Sequence, residues 1–437
     1  GWLRAGLGRV SGMLREVDPA LTAIVAEGFF SRLSFGLISF ALPLYAHREF
    51  GLGLSEIGIL LALNMAVAVA LKPAAGRLID RSGLKLSLAS AIALRSVVSG
   101  LLALASAPWH LYAIRAMHGV SISLRDPSAA VLLSDHGRTA VASVFAWYQT
   151  AKSLAGALGR TAAGLLLTLT AANYGLIFGV AFVLSALPLL VVLRHVREAP
   201  AAEPRPAAGD ELRQAGTWSS AAARPAVLPF AFLGFLISGT AYMLTGLFPI
   251  FAVEHAGLSE AEAGLVYLIA SLFVLSGPVF GLLSDKVSRN LVLSVRSAAN
   301  VASSVLYLIA PSFIGVLAGR VLDDVGKAAF RPAWGALMAE IAGLDRRRRA
   351  RTVSALSAGE DAGEIAGPIA AGFLWSMWGL PVLLAARIVL AVLTELYAVA
   401  LTGRWGDPAR LLRALWRAGQ LRARSAWRDR SERRSLP

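Results

Sequence analysis

The chain contains no cysteine, which excludes disulfides, thiolate metal sites and thiol nucleophiles. Charge is scarce too: 16% of its 437 residues are charged, against roughly 25% in an ordinary soluble domain. Lysine is rare. Only Lys72, Lys85, Lys152, Lys286 and Lys327 stand among 42 basic residues, so a lysine inside an apolar stretch is conspicuous. No Walker-type phosphate loop is present, and His47, His110, His118, His136, His195 and His255 fall at no metal-ligand spacing. An ATP-driven pump and a metalloenzyme therefore lack their parts. The expectation is a protein that is not an enzyme and has no cofactor or metal. Apolar residues are what the chain has in abundance, 56% of the total, and they come in long runs. That composition belongs to a polytopic membrane protein.

A spanning helix needs about 20 mostly apolar residues. Twelve segments qualify, near 21–46, 56–75, 86–107, 109–133, 139–169, 174–194, 226–252, 262–283, 290–310, 313–338, 352–376 and 380–402. The first follows a basic lead (Arg4, Arg9, Arg15) and is long enough to span, so it reads as a membrane helix and not as a cleavable signal. The net charge of +15 would suggest nucleic acid in a soluble chain, but the basic residues occupy alternate loops and the C-terminal tail. Arg77, Arg81 and Lys85 follow the second span, Arg138 the fourth, Lys286 and Arg289 the eighth, and Arg346 to Arg349 the tenth, while the opposite loops offer essentially Arg48. The positive-inside rule places both termini in the cytoplasm of a bacterial-type inner membrane. The expected partners are the lipid bilayer, a small solute and protons, not nucleic acid, and a monomer suffices.

The chain is internally duplicated. Gly76-Arg-Leu-Ile-Asp80-Arg81-Ser-Gly83-Leu-Lys85 recurs as Gly281-Leu-Leu-Ser-Asp285-Lys286, both glycine and aspartate displaced by 205 residues. Arg115 matches Arg320 and Pro127 matches Pro332 at the same offset, and Gly-Leu-Ser-Glu occurs at 53–56 and 257–260. Residues 195–225 are rich in Ala, Pro, Arg and Glu and read as a linker between two six-helix bundles, 1–194 and 226–404. In the tail, 405–437, Trp405, Trp416 and Trp427 recur every eleven residues. This spacing suits a surface-lying amphipathic helix, or else a basic tail held loosely by anionic lipid. Repeats of this kind place a polar site at the seam, the architecture of a secondary transporter.

The motifs support a family. Gly76-x-Leu78-x-Asp80-Arg81-x-Gly83-x-Lys85 resembles the cytoplasmic loop signature of the major facilitator superfamily, and Leu111-x-x-x-Arg115-x-x-His118-Gly119 resembles its fourth-helix signature, with histidine in place of glutamine. Leu84 replaces a common arginine. The fifth helix reads Gly156-Ala-Leu-Gly159-Arg160-x-x-x-Gly164, where exporters of the family have Gly-Pro; the eleventh carries that version, Gly363-x-x-x-Gly367-Pro368-x-x-x-Gly372. The resemblance implies an all-α polytopic fold of twelve transmembrane helices in two pseudo-symmetric bundles, a central cavity lined by helices one, four, seven and ten, and alternating access. It also implies a gate at the loop motif, with Lys72, Gly76, Asp80, Arg81, Gly83 and Asp285 as its residues. Asp80 would accept hydrogen bonds from free amides at the start of the eleventh helix and offset its dipole. The alternative is that Asp80 and Arg81 only set topology.

Charges within spans usually face a cavity or a partner. Glu27, Arg32, Arg115, Arg125, Asp126, Lys152, Arg160, Arg320, Asp323, Asp324, Lys327, Glu360, Asp361 and Glu364 all lie within spans. Arg320 and Asp324, and Asp323 and Lys327, are four apart and can pair along one helix face. Glu27 and Arg32 lie about 140° apart around their helix and need partners elsewhere. The candidates for proton coupling are Glu27, Arg115, Asp324, Glu360 and Glu364, and for the substrate cavity Arg32, His118, Lys152 and Asp323. A carboxylate that alternates between a dry environment and a nearby cation can couple proton release to conformation, whereas arginine does not titrate. Lys152 can hold an anionic solute or pair with a carboxylate of the other half. Glu360 and Glu364 can share a proton, or with Lys72 form a gate. The glycines of helices five and eleven suit either rocking or simple close packing. The sequence thus reads as a proton-coupled exporter of a small amphipathic solute. An organic anion or lipid is the alternative cargo, and a non-transporting receptor the alternative class.

Overall fold

The computed structural model describes residues 19–136, 141–196, 227–286, 289–343 and 349–402. The expected linker, the tail tryptophans, the basic N-terminal lead and Arg138 lie outside these residues. Twelve helical units follow one another. The first six are α1 (Pro19–Arg48), α2 (Leu54–Ser82), α3 (Leu84–Ala103), α4 (Pro108–His136), α5 (Val141–Leu169) and α6 (Tyr174–His195). Then come α7 (Val227–Thr245), which continues into Phe248–Ile250 and a π-helical turn Phe251–His255, and a broken eighth unit, α8a (Glu260–Val274) and α8b (Gly277–Lys286). The last four are α9 (Arg289–Ile309), α10 (Phe313–Gly343), α11 (Arg349–Trp378) and α12 (Leu380–Thr402). Among the described residues there is no strand.

Local chemistry fixes several boundaries. The repeated Gly-Leu-Ser-Glu starts equivalent helices: Glu56 accepts from the Gly53 amide at 2.7 Å ahead of α2, and Ser259 and Glu262 form a reciprocal capping box ahead of α8a. Gly83 sits at φ +85° between α2 and α3, a backbone region that disfavours side chains, which explains the glycine in the loop motif. Pro127 and Pro332, matched by the duplication, lie inside α4 and α10.

Among the described residues, six helices are long and apolar enough to cross a membrane: α1, α2, α3, α6, α7 and α12. The other six expected spans do not meet the same combined limits of length, apolarity and charge. α4, α5, α9, α10 and α11 carry charges within them, and α8 is broken. Helices that enclose a polar cavity need not be apolar all round. On the outer surface the bundles expose large apolar side chains, including Leu169, Leu190 and Ile314, as a lipid-facing wall requires.

Packing repeats the duplication. α1 packs on α5 and α6 as α7 packs on α11 and α12, while α2 meets α11 and α5 meets α8a across the two halves. The largest buried apolar cluster mixes both halves, joining Phe40, Leu60 and Leu111 to Leu244, Phe248 and Tyr267. Two smaller clusters stay within one half each, around Ile24, Leu88 and Tyr148 and around Leu233, Val292 and Trp334. The halves therefore share a core at one end and keep separate cores at the other.

Two crossings make the shared end tight. A Cβ on Gly164 of α5 would stand 2.1 Å from the Glu260 carbonyl oxygen, and one on Gly372 of α11 would stand 2.3 Å from that of Leu54. No side chain fits at either contact. Gly156 and Gly159, by contrast, pack against α1 near Arg32, Leu33 and Gly36, and Gly363 and Gly367 against α7, so these four serve packing within a half. Thr161 donates to the Gly264 carbonyl at 2.9 Å, and Ala261 donates to Thr168 at 3.0 Å, across the same seam.

Candidate functional site

A cavity of about 330 Å³ opens at the seam beneath the shared core. The first half contributes α1 (Arg32, Phe35), α2 (Asn64), α3 (Arg95), α4 (Arg115, His118, Arg125, Asp126) and α5 (Lys152, Arg160), and the second half Tyr242, Tyr267 and Glu364. The expectation that helices one, four, seven and ten line it needs correction. Among the described residues α10 contributes nothing to the wall, and α2, α3, α5, α8a and α11 take part. Six lining side chains are cationic and two are carboxylates.

Glu27 lies behind the wall and is fully buried. Both its oxygens accept from Arg125, at 2.8 Å each, and one also accepts from Ser31 at 2.6 Å. Arg125 turns its remaining edge to Asp126 at 2.9 Å and to the Tyr148 hydroxyl at 3.2 Å. Glu27 thus finds its partner on α4 and stands clear of the cavity. Lys152 stands 4.8 Å from the centre of the Tyr148 ring. Among the described residues Arg115 pairs with no carboxylate. It donates to the carbonyls of Leu60 and Leu61 and to Asn64, and meets His118 Nδ1 at 3.3 Å, so it ties α4 to α2.

Phe35 is the centre of the cationic wall. Its ring carries the guanidinium of Arg32 at 5.0 Å, that of Arg95 at 5.7 Å and the ring of His118 at 5.3 Å. Among the described residues Arg95 Nε and His118 Nε2 are buried without a hydrogen-bond partner, as is Arg160 Nε. Arg95 was not singled out from the sequence; its only signal there is one arginine in the middle of the third apolar run.

In the second half, Glu364 sits beside Tyr242 within electrostatic range of Arg32. Tyr267 is flanked by Arg160 at 4.6 Å and Arg320 at 4.7 Å, one guanidinium from each half, just below the α5–α8a crossing. Asp323, expected in the cavity, is instead buried inside the second bundle. It pairs with Lys327 at 2.7 Å, Arg387 at 2.8 Å and Arg296 at 3.2 Å. Asp324 pairs with Arg320 and Lys327, both at 3.3 Å. The helical pairing expected on α10 is present, and arginines of α9 and α12 complete it. Glu360 accepts from Trp334 Nε1 at 2.7 Å and faces its own bundle, so it is not directed at Glu364.

Each end has its own contacts across the halves. At the sealed end Arg48 donates to Glu254 at 2.6 Å and Glu260 at 2.7 Å. At the other end Lys72 pairs with Asp361, the neighbour of the Glu360 expected there. Asp80 and Arg81 are exposed, Gly76 is buried in α2, and Asp80 has no hydrogen-bond partner among the described residues. Asp285 is the penultimate residue of α8b, and its side chain lies outside the described residues.

The sequence profile of the Major Facilitator Superfamily matches residues 27–313 and 273–434. The chain is 29% identical over 169 residues to "Multidrug resistance protein MdtG" of Klebsiella pneumoniae, covering 35% of this chain and 38% of that one. To its counterpart of Dickeya zeae it is 31% identical over 174 residues, covering 38% and 41%. The match spans about two-fifths of those relatives' length. Solved structures share the fold at low identity. A structure of proton dependent oligopeptide transporters superposes with TM-score 0.71 and 14% identity, over 91% of this chain and 99% of that one. The nucleoside transporter NupG gives 0.69 and 13% over 88% and 98%. A bacterial homologue of the human lysosomal transporter Spinster, inward-facing and occupied, gives 0.67 and 17% over 88% and 96%.

Proposed function

The chain belongs to the major facilitator superfamily, and from that premise we propose that it is a secondary active transporter that exports a small amphipathic organic anion in exchange for protons by alternating access. The observation that carries this reading is the seam cavity itself, with six cations against two carboxylates, closed at one end by a core common to both halves. With the basic loops in the cytoplasm, the sealed end faces outward and the cavity is open inward. The bundles 1–194 and 226–404 are the rocking units.

Solute entering from the cytoplasm meets Arg32 of the first half and Tyr242 and Glu364 of the second. Neutralising the cationic wall while touching both halves draws them together at the Lys72–Asp361 end. The Arg48 contacts and the two glycine crossings must then part, and the site opens outward. Glu364 is the carboxylate best placed to couple protons: it faces the cavity from α11, three residues from the gate partner Asp361, near a cation that the solute would engage. Glu27 and Asp324 are held in ion pairs inside their bundles, Glu360 is bound to Trp334, and Arg115 is a brace. Export is supported by the name of the curated relatives.

The test is transport in proteoliposomes with an imposed pH gradient and an internal pH dye, adding aryl carboxylates, aryl phosphates, organic cations and lysolipids in turn. Proton movement driven by an anion and lost in Glu364→Gln supports the reading. Proton movement driven only by organic cations contradicts the anionic cargo, and solute flux indifferent to pH contradicts the coupling.

A further inference from the structure

The anionic cargo proposed above is a class of many members, and the wall around Phe35 narrows it. Resting on that reading, we infer that Arg32 and Arg95 form a two-guanidinium subsite for a doubly charged head group of the phosphomonoester type.

Among the described residues, Arg125 is matched by Glu27 and Asp126, and Arg115 is bound to carbonyls and Asn64. Arg160 is spread over Tyr267, under the seal. Among the described residues Arg160 too lacks an ion pair and has an unpartnered Nε, so what sets Arg32 and Arg95 apart is that they share a ring. Both sit over one phenyl ring, and neither has an ion-pair partner among the described residues. The nearest carboxylates of the first half, Glu27 and Asp126, already face Arg125. Arg95 is 94% buried by its 6% exposure, and its Nε is unpartnered; His118, on the same ring, is 2% exposed with Nε2 unpartnered.

Arg95 is buried and Arg32 half-buried with Glu364 in electrostatic range, yet neither is in an ion pair among the described residues; the two guanidiniums repel each other, and a buried charge is tolerated only when compensated. A single carboxylate compensates one of them. A phosphomonoester brings close to two charges at neutral pH and three acceptor oxygens, which match two planar forks. The two guanidinium carbons stand 5.0 and 5.7 Å from the centre of the Phe35 ring, so one ring draws both forks to the same part of the wall. Tyr242 and Glu364 on the opposite wall leave the head group on the first half and the remainder of the solute toward the second.

The experiment is binding to the full chain in detergent micelles at pH 7.5, by calorimetry, with phenyl phosphate, benzoate and lysophosphatidate as probes. Phenyl phosphate or lysophosphatidate should bind the wild type roughly tenfold or more tighter than benzoate, as expected of one further pair of charge-assisted hydrogen bonds. Whichever of the two binds tighter identifies a soluble or a lipid source. Arg95→Lys and Arg32→Lys keep the charge and lose the fork, so each should reduce the preference severalfold while benzoate binding persists. These variants also serve if Arg95→Gln does not fold. Equal binding of benzoate and phenyl phosphate to the wild type, or an unchanged preference in both lysine variants, overturns the subsite and leaves anion transport standing. Binding of organic cations with no anion bound overturns both.

Discussion

Arg125 ties three helices of the first bundle, because it serves Glu27 of α1, Asp126 of α4 and Tyr148 of α5 at once. Glu27→Gln leaves that guanidinium buried against Asp126 alone, a loss of about 3 kcal/mol or more for a broken buried pair. Chemical unfolding in detergent should register it, and Glu27→Gln with Arg125→Gln should recover part of the loss. Asp80 belongs to the opposite case, exposed and without a hydrogen-bond partner among the described residues. As a latch it would engage only when the cytoplasmic end closes. Asp80→Asn should therefore slow cycling in proteoliposomes with little change in solute affinity, and unaltered transport would count against the latch. Single residues were unevenly legible in the sequence. Arg32, His118 and Lys152 were identifiable as charges or a motif departure, and all three line the cavity. Arg95, Tyr242 and Tyr267 were not, since aromatic residues in an apolar run read as core and one arginine says nothing about which way it points. Asp323 was misplaced for a related reason: periodicity gives its face, and only the arginines of α9 and α12 reveal which side that face meets.

Elements were read more securely than residues. Duplication, span count and the Gly-Leu-Ser-Glu starts of α2 and α8a follow from patterns that need no tertiary contact. The glycines of α5 and α11 needed the structure to be sorted. Those at 156, 159, 363 and 367 pack within a half, and those at 164 and 372 carry the crossings between halves. Substitution at the second pair should act on conformation. Gly164→Ala places a methyl against backbone and forces α5 from α8a, so the sealed end should be weakened and sites lining it should become accessible to a water-soluble thiol reagent. Arg48→Gln, which removes two ion pairs across that end, should act in the same direction but more weakly, because a partly exposed pair contributes about 1 kcal/mol or less. If Gly164→Ala leaves that accessibility unchanged, the crossing is ordinary packing.

At the scale of the molecule, the proposed rocking of two bundles about a cationic cavity rests on the asymmetry of the cores, one shared and two separate. The absence of native cysteine allows labels to be placed without background. The most direct measurement is the distance between spin labels at 49 and 255, spanning the sealed end, and separately at 78 and 282, spanning the other, in lipid nanodiscs with and without phenyl phosphate and across a range of pH. The account predicts two populations at each end that change in opposite senses, the 49–255 distance lengthening as the 78–282 distance shortens. Distances that stay fixed at both ends under every condition, or that lengthen together, would contradict it.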